Sequence, residues 1–360
     1  MTVDARPRNT RRHLLVNLAR FGIVAAVIGI VVWRVDWSSV RLFVHPASWG
    51  FLVLAILANF ASVGFKGFAW KGVVDGLPQL KSRTHYRDLI SPVFVGFLFN
   101  TVLAARLGEL VKIALVRRRL ASRGEEVTVI ALLGTIVVEN LVGTLTWVAL
   151  VVAIGLFLPL PTYAWVASVV IGLAAAAVIG IAMATATGHQ PLPWLREGSL
   201  VAKGIRAVIR VWEAVRESHI ALRSPRQATI VGGASLGAWF AQWAGIDFAL
   251  HAFGLGYVGW GGAGLLLVTI TLAQAFPLLP GNLVVFQAAA VLPLTASYGV
   301  PTSQAIAFAV VLQFTEVLVG VVTGFICLLI EGVSFGQLRR EAEADAAEQA
   351  HAMRDPYPAP

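Results

Sequence analysis

Asn100, Arg106, Glu109 and Lys112 crowd into a short stretch of an otherwise apolar segment, with Gly108 between them. Such polar groups cannot face hydrocarbon without a penalty of several kcal/mol, so they must face sheltered polar space. On a helix Arg106 and Glu109 stand three residues apart and can pair, and Glu109 reaches Lys112 in the same way. Two chemistries fit: a salt-bridged structural plug, or a site where Arg106 or Lys112 meets an anionic head group. In the second case the N-terminus of a half-helix adds partial positive charge.

A second stretch carries Pro277, Pro280, Gly281 and Asn282, with Gln274 before and Gln287 after. Two prolines and a glycine so close together stop a helix, and the freed backbone groups then need protein or water partners. Asn282 and Gln287 are neutral, which suits a turn held by amide hydrogen bonds as well as a ligand contact. Glu139 and Glu316 lie in the middle of apolar runs, where a carboxylate must be paired, protonated or hydrated. Each is either a proton-linked or cation-pairing group or a fixed partner for Arg106 or for open backbone. Asp247 is expected at the outer interface, and His85, His189, His219 and His251 in surface loops. No nucleophile triad, clustered metal ligands or Gly-rich phosphate loop stands out, so neither enzymatic chemistry, metal nor cofactor is expected.

The elements that position these residues follow from composition. The 360 residues are 58% hydrophobic and 13% charged, too little polar surface to coat a soluble globule. Apolar runs near 14–33, 49–70, 128–157, 162–185, 226–250 and 304–330 are each long enough to span about 30 Å of hydrocarbon. The stretches 89–116 and 261–297 are interrupted, as paired half-helices would be. The expected fold is all-α and polytopic: six full spans plus two re-entrant hairpins. The net charge of +9 resides in Lys and Arg between apolar runs, which argues for membrane topology and against nucleic acid. The lone Cys327 excludes a disulfide framework. The first run follows Arg6, Arg8, Arg11 and Arg12 without a clear cleavage site and is expected to be retained.

Lys and Arg concentrate on the cytoplasmic side of short loops. With both termini inside, only Arg34 and Arg41 fall outside, while Lys71, Lys81, Arg83, Arg87, Arg117, Arg118, Arg119 and Arg123 fall inside. The first hairpin then enters from the cytoplasm and the second from outside, so the two point at each other. A shift of about 177 residues places 49–70 on 226–247, hairpin on hairpin, and Glu139 on Glu316. This predicts an inverted repeat, with halves at about 49–157 and 226–331 inside one domain of 14–335. Residues 1–13 form a basic cytoplasmic N-terminus and 336–360 a disordered tail. Between the halves, 186–227 carries apolar residues at helical spacing opposite Lys203, Arg206 and Arg210, which fits an interfacial helix or a solvated linker helix.

The broken segments resemble the lysylphosphatidylglycerol synthetase transmembrane-region family, the flippase-like part of bacterial multiple peptide resistance factors, over about residues 15–335. Asn100, Arg106, Gly108, Glu109 and Lys112 follow its first motif, with Ala104 where Pro is frequent. Pro277, Pro280 and Gly281 follow its second, with Val284 where the family has Gly and Gln287 where it has Glu. The resemblance implies movement of an anionic, aminoacylated or polyprenyl-linked lipid between leaflets of the cytoplasmic membrane. Substrate contacts are then expected from the first-motif residues together with Pro280, Gly281, Asn282 and Gln287, while Glu139 and Glu316 balance charge or couple protons. Two other functions fit the same features: a membrane enzyme or accessory subunit beside a separate synthase or glycosyltransferase, and a small-solute transporter of inverted architecture.

Overall fold

The computed structural model describes residues 48–102, 108–157, 162–184, 224–274 and 283–331. The expected first span at 14–33, nearly all of the 186–227 linker and the 336–360 tail lie outside the described residues. The described chain is helical: α1 (Trp49–Val74), α2 (Tyr86–Val102), α3 (Gly108–Ala121), α4 (Val129–Phe157), α5 (Thr162–Ala184), α6 (Pro225–Ala252), α7 (Gly259–Gln274), α8 (Leu283–Tyr298) and α9 (Thr302–Ile330).

Local chemistry sets the helix ends. Ahead of α2, the Asp88 carboxylate reaches back to accept the His85 N–H at 2.8 Å, one arm of a capping box. Arg123 grips the same carboxylate with two nitrogens, at 2.6 and 2.7 Å. Pro225 opens α6 at a position where its missing N–H costs nothing. Just past α9, Glu331 pairs with Arg119 and accepts the Ser91 hydroxyl, fastening the end of α9 to α2 and α3.

Among the described residues four segments are long and apolar enough to cross a membrane: Trp49–Val74, Val129–Leu156, Gly256–Gln274 and Thr302–Ile330. The third is a departure from expectation. A 3-10 turn at Gly256–Val258 leads directly into α7, so its apolar run reaches spanning length where a half-helix was foreseen. Helices α5 and α6 cover the runs expected at 162–185 and 226–250, with 23 and 28 residues.

Helices α2 and α3 fold back on each other, as do α7 and α8. In the first pair, a Cβ on Gly108 would lie 2.1 Å from the Gly96 carbonyl oxygen, so the two backbones meet with no side chain between them. In the second, the Thr269 hydroxyl donates to the Ala289 carbonyl at 2.9 Å, and Gly262 faces Tyr298. The helix contacts are matched in part. The largest joins α1 to α6, α1 meets α2 much as α6 meets α7, and α2 packs on α9 far more extensively than α7 does on α4.

Each hairpin sits in its own core. Leu89, Val93, Ile113, Val116 and Leu132 pack with Trp70 around the first, and Leu266, Phe286, Ala290 and Phe308 pack with Leu250 around the second. Outside these cores, Leu57, Phe65, Val170, Leu173 and Phe240 are exposed on α1, α5 and α6, as lipid-facing residues are. Trp49, Tyr257 and Trp260 are exposed together near the 3-10 turn, where Trp243 donates its indole N–H to the Trp260 carbonyl at 2.8 Å. Clustered amphipathic rings of this kind sit at membrane–water interfaces.

Candidate functional site

The first hairpin divides its polar residues between structure and charge. Asn100 Oδ1 accepts the Gly108 N–H at 2.9 Å, which satisfies an open donor at the start of α3. Asn100 and Gly108 therefore close the hairpin. One turn further along α3, Lys112 is buried, at 8% exposed. Its ammonium stands 2.8 Å from Glu109, an ion pair without hydrogen-bond alignment, and 4.5 Å above the centre of the Trp70 ring. The ring face supplies the electron density that a desolvated cation lacks. Trp70 is itself held by its indole N–H, which donates to the Thr135 hydroxyl at 2.9 Å.

From this corner a line of polar groups runs through the bundle. Glu139 on α4 lies within the electrostatic reach of Lys112, Glu109 and Lys66. Glu316 on α9 feels Lys66 too, and accepts hydrogen bonds from the amides of Gln242 on α6 and Gln274 at the end of α7. Lys66 itself rests against the Trp239 ring, 5.3 Å from its centre. Trp239 is anchored in turn by its indole N–H, which donates to the Gly143 carbonyl at 2.9 Å. The path thus joins α3 of the first hairpin to α7 of the second. Glu139, Glu316, Lys66 and Gln242 are only half-buried although surrounded by helices, so they line an interior cleft.

Among the described residues the cleft holds three carboxylates, Glu109, Glu139 and Glu316, against two ammonium groups, Lys66 and Lys112. Both signs of charge are available to a head group, and the bordering helices are apolar.

Arg106, Pro280, Gly281 and Asn282 lie outside the described residues. Gln287 is half-buried on α8. Asn140 folds onto its own helix, its amide donating to the Ile136 carbonyl at 2.9 Å. Asp247 is buried at 3% exposed, with His251 3.4 Å away, and so is no surface group. His251 belongs to the last turn of α6 and stacks on Phe51 with ring centres 5.2 Å apart, a correction to its expected loop position. Lys66, Gln242 and Trp70 are the functional candidates that the motifs did not single out. The available signal was a lysine and a glutamine, each within a run otherwise long enough to span.

Apolar helices and a charged cleft linked to two folded-back hairpins define an integral membrane protein. More narrowly, the chain belongs to the lysylphosphatidylglycerol synthase TM region family, whose model matches residues 17–324. That places it among membrane proteins related to lipid handling. No curated protein and no solved structure matches it.

Proposed function

We propose that the protein is a lipid flippase of the cytoplasmic membrane, carrying an anionic, aminoacylated or polyprenyl-linked lipid between leaflets. The observation that supports this best is the charged line from Lys112 and Glu109 through Glu139 and Lys66 to Glu316, set inside apolar helices. A polar head group crossing hydrocarbon unaided meets the same penalty as a buried side chain. Fixed groups of both signs along a cleft replace its hydration step by step, while its acyl chains remain in lipid.

In this arrangement both termini are cytoplasmic, and the α2–α3 and α7–α8 hairpins dip from opposite faces as halves of an inverted repeat. Helices α2, α3 and α8, of 17, 14 and 16 residues, would reach only about 21 to 26 Å at 1.5 Å per residue, short of a full crossing, whereas α7 with its 3-10 turn reaches spanning length. Opposed broken elements with a site between them suit alternating access. Any covalent change to the lipid falls to a separate synthase or glycosyltransferase, and this chain supplies transport alone.

The test is reconstitution. Proteoliposomes should move a head-group-labelled phosphatidylglycerol between leaflets faster than empty liposomes, and Glu316→Gln should slow the movement about ten-fold or more, as loss of about 1.4 kcal/mol would. A Glu316→Gln protein working at the full rate would remove this residue from the path. Wild-type protein no faster than empty liposomes would end the proposal.

A further inference from the structure

At the end of α1 remote from the aromatic ring cluster, a second and separate cavity of about 290 Å³ opens between α1, the 75–85 turn and the start of α6. Its lining includes Lys71, Asp75, Arg83 and Arg226, with Phe68 and Ile230 at the apolar side. The charges do not cancel. Asp75 is taken by Lys71, and its other oxygen accepts both the N–H and the hydroxyl of Thr84, at 2.8 and 2.6 Å. Arg83 and Arg226, both exposed, have no carboxylate partner among the described residues, which leaves two arginines lining one cavity.

The cavity is built, not incidental. Thr84 is pinned by Asp75 on one side of Arg83, and on the other Ser82 is pinned by Glu125, through its N–H at 3.1 Å and its hydroxyl at 3.0 Å. The Gln227 amide donates across the cavity floor to the Gly72 carbonyl at 2.7 Å, tying α6 to α1. There the helices approach so closely that a Cβ on Gly72 would fall 2.6 Å from the Val231 methyl. Phe68 and Ile230 are 44% and 39% exposed, so the basic floor continues into an apolar wall.

We infer that this cavity is a docking site for the phosphodiester head group of an anionic phospholipid from the cytoplasmic leaflet. Arg83 and Arg226 take the phosphate, and Phe68 and Ile230 flank the first part of an acyl chain. Basic pockets between transmembrane helices on the cytoplasmic side bind acidic head groups in this way. A guanidinium matches phosphate oxygens with paired donors. A soluble polyanion would not use the apolar wall. The site rests on the bilayer placement proposed above but not on transport, because docking is read from retained lipid.

The experiment uses the full-length protein in nanodiscs of equal parts phosphatidylcholine and phosphatidylglycerol, with lipid retained after mild detergent extraction counted by native mass spectrometry. Phosphatidylglycerol should be retained in preference to phosphatidylcholine. Arg83→Gln and Arg226→Gln should each lower its affinity about five-fold, and the pair about thirty-fold. Arg118→Gln, which removes an exposed cation elsewhere on the same side, should change nothing. Equal loss in the Arg118→Gln control, full retention in the double variant, or equal retention of phosphatidylcholine would each overturn the site. Wild-type protein that retains phosphatidylglycerol yet fails to move it would sink the transport proposal and leave this one standing.

Discussion

Lys112 shows how a single residue carries both stability and function. Its charge is tolerated because Glu109 lies 2.8 Å away and the Trp70 face 4.5 Å away. Lys112→Ala should destabilise the protein by about 1 to 2 kcal/mol, chiefly through lost packing on Trp70, since the Glu109 side chain left behind is 38% exposed. Thermal unfolding in detergent would check this, and Lys112→Ala with Glu109→Gln should recover part of the loss. Gly108→Ala should be harsher, costing about 3 kcal/mol or more, because its methyl group has to displace the Gly96 carbonyl. Gly143→Ala, with nothing within 4 Å of the new atom, is the matched control and should be close to neutral. Lys112, Glu109 and Glu139 were legible in the sequence because a charge in an apolar stretch is conspicuous. Lys66 was passed over for a physical reason: one lysine within an otherwise sufficient run reads as a span with a long side chain able to reach water. Only the tertiary approach of α1 to α4 and α9 shows that it faces inward.

At the level of elements, hydropathy located the described long helices to within a few residues. The 3-10 turn that lengthens α7 was not evident, because Gly254, Gly256 and Gly259 suggest a plain loop. Gly259 takes a φ of +63° there, a conformation that glycine adopts without cost. Also unsignalled was the clasp made by Glu125 between α3 and α4, whose carboxylate accepts the Lys81 N–H at 2.9 Å together with two donors of Ser82. The Lys81 peptide N–H, aided by Ser82, holds the Glu125 carboxyl below its usual 4.5, although its partial burial pulls the other way. A depressed folded-state value means a stabilising contribution that is complete above the unfolded value and is lost as pH falls through the folded one. The melting temperature of wild type should therefore exceed that of Glu125→Gln near neutrality, with the gap closing below about pH 4.5. A gap constant from neutral to acid pH would remove the carboxylate from this role.

For the whole molecule, α1 packs most extensively on α6, which joins the two stretches that the 177-residue shift aligns. The proposed opposition of the two hairpins makes a topological prediction. In a Cys327→Ser background, a thiol at Ser122, just past α3, should react only with reagent on the cytoplasmic side. One at Ser297, near the end of α8, should react only from outside. Both reacting from one side would defeat the inverted arrangement.

The glycine seam between α2 and α3 has a mechanical corollary. Two rods in backbone contact have no slack to slide or splay, and α9 is seated on α2 in the same way, since a Cβ on Gly324 would lie 2.4 Å from the Phe94 carbonyl oxygen. At the base the same block is tied again, where Glu125 grips the segment leading in and Arg123 grips Asp88 beside it. A single change at the base should therefore leave this block seated, whereas a side chain at Gly108 or Gly324 should unseat it.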